Sequence, residues 1–219
     1  MRKCVIFLNG EYTYSQQFID DLFDENTICL CADGGANSAH KYNKKPLYII
    51  GDLDSVNAKI LEDYKKQGVN IVKYNPEKDY TDFELILQKV EELEKDGDFK
   101  FDSMSILGAL GKRIDLTLNN IFLMEKYKNI KILTENEEIF YTESSFSLNN
   151  KKGYGFSIIP LDNIIGNLTL KGFKYELDSV NVERKSSRLV SNIIEKEVCS
   201  VSFTRGKMIV ILRKNVTED

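Results

Sequence analysis

Leu47-Tyr48-Ile49-Ile50-Gly51-Asp52-Leu53-Asp54-Ser55 is a short apolar run closed by a glycine, two acids and a serine. An apolar run of that length, ended abruptly by polar residues, reads as a buried strand stopping at a solvent rim. If the chain stays extended, Asp52 and Asp54 share a face, because side chains two residues apart project to the same side. Two carboxylates so placed can share a divalent cation. Without one they are costly, since each raises the pKa of the other.

The pattern repeats on either side of this stretch. Strand-like runs fall at Cys4–Leu8, Ile28–Ala32, Leu47–Ile50, Val69–Tyr74, Ser103–Leu107 and Ile130–Thr134. Segments of helical length separate them. The clearest is Asp82–Lys95, where Phe83, Ile86, Leu87, Val90 and Leu93 recur at the helical period behind Thr81-x-x-Glu84, a capping-box pattern. Such alternation predicts an α/β domain over residues 1–136, with a doubly wound, mainly parallel sheet covered by helices. After Glu137 no amphipathic helix is evident. Short runs at Ile139–Thr142, Phe156–Ile159, Asn167–Leu170, Val198–Phe203 and Met208–Leu212 predict a smaller all-β sandwich domain over 137–219. Asn149–Gly155 and Asp178–Ser187 read as turns or loops, and Val216–Asp219 as a frayed tail.

Composition narrows the function classes. The 219 residues carry a net charge of −4, with 29% charged and 42% hydrophobic residues. That balance is ordinary for a soluble globular protein and does not suggest a nucleic-acid surface. No stretch has the apolar length of a membrane span, and Asn9-Gly10-Glu11 cuts short the signal-like start. Cys4, Cys29, Cys31 and Cys199 each sit inside an apolar strand-like segment, with Cys29 and Cys31 on one strand face and no CxxC pair, the pattern of reduced core thiols in a cytoplasmic protein. The single histidine, His40, reads as a solvated helix residue rather than a catalytic base.

Acids follow strand after strand in the first domain: Asp33, then Asp52 and Asp54, then Asp79 and Asp82, then Asp115. Any one of them could be a helix cap. The set cannot all be caps, because Asp52 and Asp54 cannot both cap one helix and Ser55 is itself suited to that position. In a parallel sheet all strand carboxyl ends share one edge, so these acids gather along one crevice. Mg²⁺ is the natural counter-ion, sitting between carboxylates and substrate phosphates. Gly34-Gly35 and Gly108-x-x-Gly111 each precede a helix and suit close approach of backbone N–H groups to an anion, although neither has P-loop spacing. Lys78, Lys112 and Arg113 could face phosphate oxygens, with Arg113 the best placed of the three.

Ala32-Asp33-Gly34-Gly35-Ala36-Asn37, Ile50-Gly51-Asp52-Leu53-Asp54-Ser55 and Glu77-Lys78-Asp79-x-Thr81-Asp82-x-Glu84 resemble motifs of the thiamine pyrophosphokinase family in order and spacing. Gly108-Ala109-x-Gly111-x-Arg113-Ile114-Asp115, Leu168–Tyr175 and Ser191-Asn192 resemble its later motifs. The resemblance implies transfer of a pyrophosphoryl group from ATP to thiamine, yielding AMP and thiamine diphosphate, in a homodimer whose β-sandwich helps form the thiamine site. It implies Asp52, Asp54 and Asp82 as ligands of Mg²⁺ and, with Arg113, as the catalytic set. Asp33, Gly34, Gly35, Lys78, Asp79, Thr81, Gly108, Gly111 and Asp115 would surround the ATP phosphates, and Ser191 and Asn192 would lie beside thiamine. The chain departs from the pattern at Leu116, where the family usually has histidine, at Lys112, where it has glycine, and at Ile193. It also lacks tryptophan. A nucleotide-sugar glycosyltransferase using Asp52-x-Asp54, and a pyrophosphokinase acting on another alcohol such as a pterin, are the rival readings.

Overall fold

The computed structural model describes residues 2–77, 79–97, 99–127 and 129–214. Lys78, expected near the phosphates, and the tail Val216–Asp219 lie outside the described residues. The chain divides into two compact units, Met1–Glu135 and Asn136–Asp219.

In the first unit β1 (Arg2–Phe7), α1 (Gln16–Asp21), β2 (Ile28–Ala32), α2 (Gly35–Lys41), β3 (Tyr48–Gly51), α3 (Ala58–Lys66), β4 (Asn70–Lys73), α4 (Asp82–Lys95), β5 (Phe101–Leu107), α5 (Ile114–Leu123) and β6 (Ile130–Leu133) follow one another. Its strands lie in the order β6-β5-β1-β2-β3-β4. Every adjacent pair is parallel. The chain steps outward from β1 to β4, then returns to the other side of β1 for β5 and β6. Connections therefore diverge between β1 and β5, the arrangement that opens a crevice at the carboxyl ends of the strands.

Both faces of this sheet are buried, as an all-parallel sheet requires. Val5, Phe7, Cys29, Cys31 and Ile49 pack with Ala36, Ala39, Tyr42 and Tyr64 on one side. The alternate residues Cys4, Ile6, Leu30, Ile50 and Ile106 are equally buried. The apolar stripe of α4 (Phe83, Ile86, Leu87, Val90, Leu93) is buried throughout, and the Thr81 side chain accepts from the Glu84 N–H at 3.3 Å, as the capping pattern predicts. All four cysteines are free and buried. The helix after β3 is capped by Asn57, not by Ser55. The Asn57 side chain accepts from Lys59 and Ile60, whereas the Ser55 hydroxyl donates to Asp54.

The second unit contains β7 (Glu137–Thr142), β8 (Phe146–Asn149), β9 (Gly155–Pro160), β10 (Ile164–Lys171), β11 (Leu177–Glu183), a single 3₁₀ turn (Ser187–Leu189), β12 (Asn192–Ile193), β13 (Val198–Ser202) and β14 (Met208–Arg213). Two antiparallel sheets, β12-β9-β14-β7 and β11-β10-β13-β8, enclose one core. Phe156, Ile158, Val210 and Leu212 of one sheet meet Ile165, Leu168, Leu170 and Val201 of the other. Residues 178–183, read from sequence as loop, are instead most of β11. This is an edge strand, pairing among the described residues only with β10 and through two register shifts, and Ser179 has φ 52°. Its polar surface and bulges hide the two-residue alternation on which a strand assignment depends.

Candidate active site

A cleft of about 500 Å³ opens at the carboxyl ends of the parallel strands. Its walls come from Leu8–Gly10 after β1, Ala32 and Asp33 after β2, and Asp52, Asp54 and Ser55 after β3. Thr81–Phe83 at the head of α4 and Gly108, Ala109, Gly111, Lys112 and Arg113 after β5 complete them, with Leu116 and Asn120 from α5. The volume suits a nucleotide-sized ligand.

Carboxylate oxygens of Asp33, Asp52 and Asp82 lie within 4.8 Å of one another at the floor of this cleft. Strand pairing brings the first two together. Ala32 is registered with Ile50, and the Asp33 N–H donates to the Ile50 carbonyl at 2.9 Å. The next residue along β3 is Gly51, and any side chain there would collide: a Cβ would stand 2.8 Å from the Asp33 Cβ and 3.2 Å from the Asp82 Oδ1. Asp82 arrives as the first residue of α4, where the helix dipole favours an acid.

Asp33 is only 5% exposed, and its Oδ1 has no hydrogen-bond partner among the described residues. Burial pushes its pKa up, contacts from the Gly34 N–H and Ser55 hydroxyl pull it back, and the carboxylates of Asp82 and Asp52 push it up again. A buried, orphaned carboxylate oxygen facing two further acids is the donor set of a hard divalent cation. The residues therefore fit Mg²⁺.

Asp54 lines the cleft but is outside this triplet. Its Oδ1 accepts from the Ser55 hydroxyl at 2.8 Å, and its N–H faces the Asp52 Oδ1 at 3.4 Å. The extended geometry that would align Asp52 with Asp54 is absent, because Leu53 between them has φ 67°. The third position near Asp52 and Asp82 is filled by Asp33, reached through the sheet rather than along the chain.

Thr81, Gly108, Gly111 and Arg113 also border the cleft. Gly34, Gly35, Asp79 and Asp115 are not among the residues lining it. Gly35 opens α2 and lies so close to the Phe7 carbonyl that a Cβ would be 2.0 Å from its oxygen, so this glycine serves packing of α2 on β1. Asp79 is exposed. Asp115 grips Arg113 in a two-point ion pair, with the Nε–Oδ1 contact at 3.1 Å. The guanidinium holds its carboxyl below the usual range. Asp115 thus orients Arg113 rather than facing the cleft.

In the second unit Asn192 is buried, and its side chain is committed to backbone. Oδ1 accepts from the Tyr175 and Ile193 N–H groups at 3.0 and 2.8 Å, and Nδ2 donates to the Tyr175 carbonyl at 2.8 Å. Ser191 adopts φ 64° and donates its N–H to the Ser157 hydroxyl at 3.0 Å. Asn192 therefore clamps Tyr175, a residue that is 60% exposed.

Residues 19–134 match the family model described as thiamin pyrophosphokinase, catalytic domain, and residues 143–208 match thiamin pyrophosphokinase, vitamin B1 binding domain. The chain belongs to the thiamine pyrophosphokinase family. Thiamine pyrophosphokinase from Bacillus subtilis is 30% identical over 194 residues, covering 86% of this chain and 88% of the relative. Thiamine pyrophosphokinase 1 of Oryza sativa is 26% identical, covering 85% and 79%. The crystal structure of the Bacillus subtilis protein superposes with a TM-score of 0.83 at 25% identity, covering 98% of this chain and all of that one. The Candida albicans thiamin pyrophosphokinase has the same fold, with a TM-score of 0.82 at 21% identity over 98% of this chain and 89% of that one. These matches do not favour the glycosyltransferase or pterin readings.

For this family member, sequence reasoning missed the parts that brace the cleft. The Asn9 side chain and carbonyl accept from the Lys112 ammonium at 3.3 and 3.0 Å. Asn120 donates to the Ala109 carbonyl at 2.9 Å and holds the glycine-containing loop after β5. Asn120 is the buried residue of α5, a helix whose Ile114, Leu118 and Phe122 are exposed.

Proposed function

We propose that this chain transfers the pyrophosphoryl group of ATP to the hydroxyl of thiamine, releasing AMP and thiamine diphosphate. The observation that carries this reading is the carboxylate triplet with the orphaned Asp33 oxygen, in a nucleotide-sized cleft of a chain belonging to this family. Asp33, Asp52 and Asp82 would hold Mg²⁺, with Asp54 at the edge of the same group. Mg²⁺ bound there would offset polyphosphate charge and withdraw electrons from the phosphorus under attack.

Attack by an alcohol on phosphorus is governed by positioning and charge stabilisation, and the chain's own residues divide these tasks. Arg113, oriented by Asp115, lines the cleft and would face the transferred group. The Gly108–Gly111 segment lets backbone lie close to the phosphates, and Asn120 keeps it in place. Thr81 fixes the start of α4 and so the position of Asp82. The net acidity of the cleft also attracts thiamine, a cation. In the second unit Asn192 holds Tyr175 for the thiamine rings, with Ser191 beside it.

We further propose a homodimer in the cytoplasm. The exposed apolar side chains of α5, Ile114, Leu118 and Phe122, suit a covered face, and the four free, buried thiols suit a reducing compartment. Among the described residues no helix is long and apolar enough to cross a membrane.

The test is incubation with ATP, Mg²⁺ and thiamine followed by separation of the products. AMP together with thiamine diphosphate is expected. ADP as the nucleotide product, or no turnover with any divalent metal, would contradict the proposal.

A further inference from the structure

Among the described residues that line the cleft, four acids dominate and only Lys112 and Arg113 are cationic. Their states differ. Arg113 is paired with the Asp115 carboxylate, which holds its guanidinium in one orientation. The Lys112 ammonium instead donates to two uncharged oxygens, the Asn9 carbonyl and the Asn9 Oδ1. The nearest acid along that loop, Glu11, takes the Lys112 backbone N–H at 3.2 Å through its Oε1, not the ammonium. Among the described residues, no carboxylate is paired with Lys112. Its positive charge is therefore uncompensated, and with two of three N–H donors engaged, one remains for a ligand.

The backbone of Lys112 carries a cost that its side chain must justify. Its φ is 53°, in the left-handed region where a long side chain is disfavoured and glycine is not. Strain retained at a cleft wall points to a role for the group it displays. The displayed group is held from two sides. The Glu11 carboxylate fixes the backbone, and the Asn9 oxygens fix the ammonium.

On the reading of the cleft as a nucleotide site, we propose that Lys112 is the cation that binds the polyphosphate of the incoming nucleotide, with Asn9 and Glu11 as its positioning residues. Arg113 is then left to the developing charge of the transferred group. This division predicts a defect in nucleotide affinity that spares the thiamine side.

The experiment is calorimetric titration of the full chain with Mg²⁺–ATP and with inorganic tripolyphosphate, alongside steady-state kinetics for both substrates. The variants are Lys112→Met, Lys112→Arg and Lys112→Gly. Loss of one charge-assisted hydrogen bond corresponds to about a 10- to 100-fold weakening. Lys112→Met and Lys112→Gly should both weaken tripolyphosphate and ATP by about that factor, with the KM for thiamine unchanged. Lys112→Arg should stay within about threefold of wild type. Lys112→Gly relieves the backbone strain and should not lower Tm, so its loss of affinity cannot be assigned to misfolding.

Unchanged affinity in Lys112→Met would overturn the proposal. So would a fall in Tm with parallel loss of both KM values, which would make Lys112 a structural tie alone. A wild type that binds tripolyphosphate through Lys112 yet forms no thiamine diphosphate would overturn the functional reading and leave the Lys112 assignment standing.

Discussion

Replacing Asp33 by asparagine should make the metal-free protein more stable and the enzyme inactive. Asparagine keeps the shape of the side chain and tolerates the φ of 44° at this position, so the backbone is undisturbed. What changes is charge. The oxygens of Asp33, Asp52 and Asp82 are no more than 4.8 Å apart. At an effective dielectric of about 20, two unit charges at that distance repel by about 3.5 kcal/mol. An ionised Asp33 therefore meets about 7 kcal/mol from its two neighbours together. Most of this is avoided, because Asp52 and Asp82 are partly solvated and Asp33 can take up a proton. A net gain of about 1–2 kcal/mol for Asp33→Asn near neutral pH is expected, or a few degrees in Tm.

The pH dependence has a definite sign. Burial, then the adjacent carboxylates, raise the Asp33 pKa in the folded state. The folded protein thus holds a proton that the unfolded chain releases near pH 4. Metal-free wild type should lose stability as pH rises from about 4 through the raised folded value, and Asp33→Asn should not show that loss. Mg²⁺ should stabilise wild type by mass action and leave the variant nearly unmoved. Thermal melts with chelator and with millimolar Mg²⁺, across pH, read all three effects. A less stable Asp33→Asn in chelator, or an equal Mg²⁺ shift in both proteins, would refute the reasoning.

Gly51→Ala places a methyl group 2.8 Å from the Asp33 Cβ and 3.2 Å from the Asp82 Oδ1. It should cut kcat at least about tenfold and cost about 1–3 kcal/mol in a melt, since the triplet must splay to admit it. Asn192→Ala removes three hydrogen bonds that hold Tyr175 and Ile193 and leaves their part-buried backbone groups without these partners. Destabilisation by about 2–3 kcal/mol is expected, with a raised KM for thiamine and little change in the KM for ATP, readable by denaturant titration and kinetics. Asp115→Asn frees Arg113 from its two-point partner. Turnover should fall while Tm is unaltered, because the pair is exposed.

The sheet and its central helix were legible because their determinants are local. Ile28–Ala32 and Asp82–Lys95 carry periodicity and capping within their own residues, and the structure has both with those bounds. Gathering of acids at the strand ends was legible too, since parallel topology alone places Asp33, Asp52 and Asp82 on one edge. The membership of the triplet was not. It depends on the lateral register of β2 with β3 and on a left-handed Leu53, and leucine gives no local hint of that conformation. The role of Asn192 was hidden for a similar reason. Its partner Tyr175 is 17 residues away, and only the fold turns the asparagine amide toward that backbone. Strand β11 escaped because bulges and an exposed edge erase the alternation that marks a strand.

The central claim is that β- and γ-phosphates move together from ATP to thiamine over the Asp33–Asp52–Asp82 triplet. A single-turnover reaction with ATP labelled at the β-phosphorus tests it most directly. The label is expected on thiamine diphosphate with none left in ADP, and Asp52→Asn, folded and with wild-type Tm or higher, should abolish the transfer. Label retained in ADP, or transfer undiminished in Asp52→Asn, would contradict it.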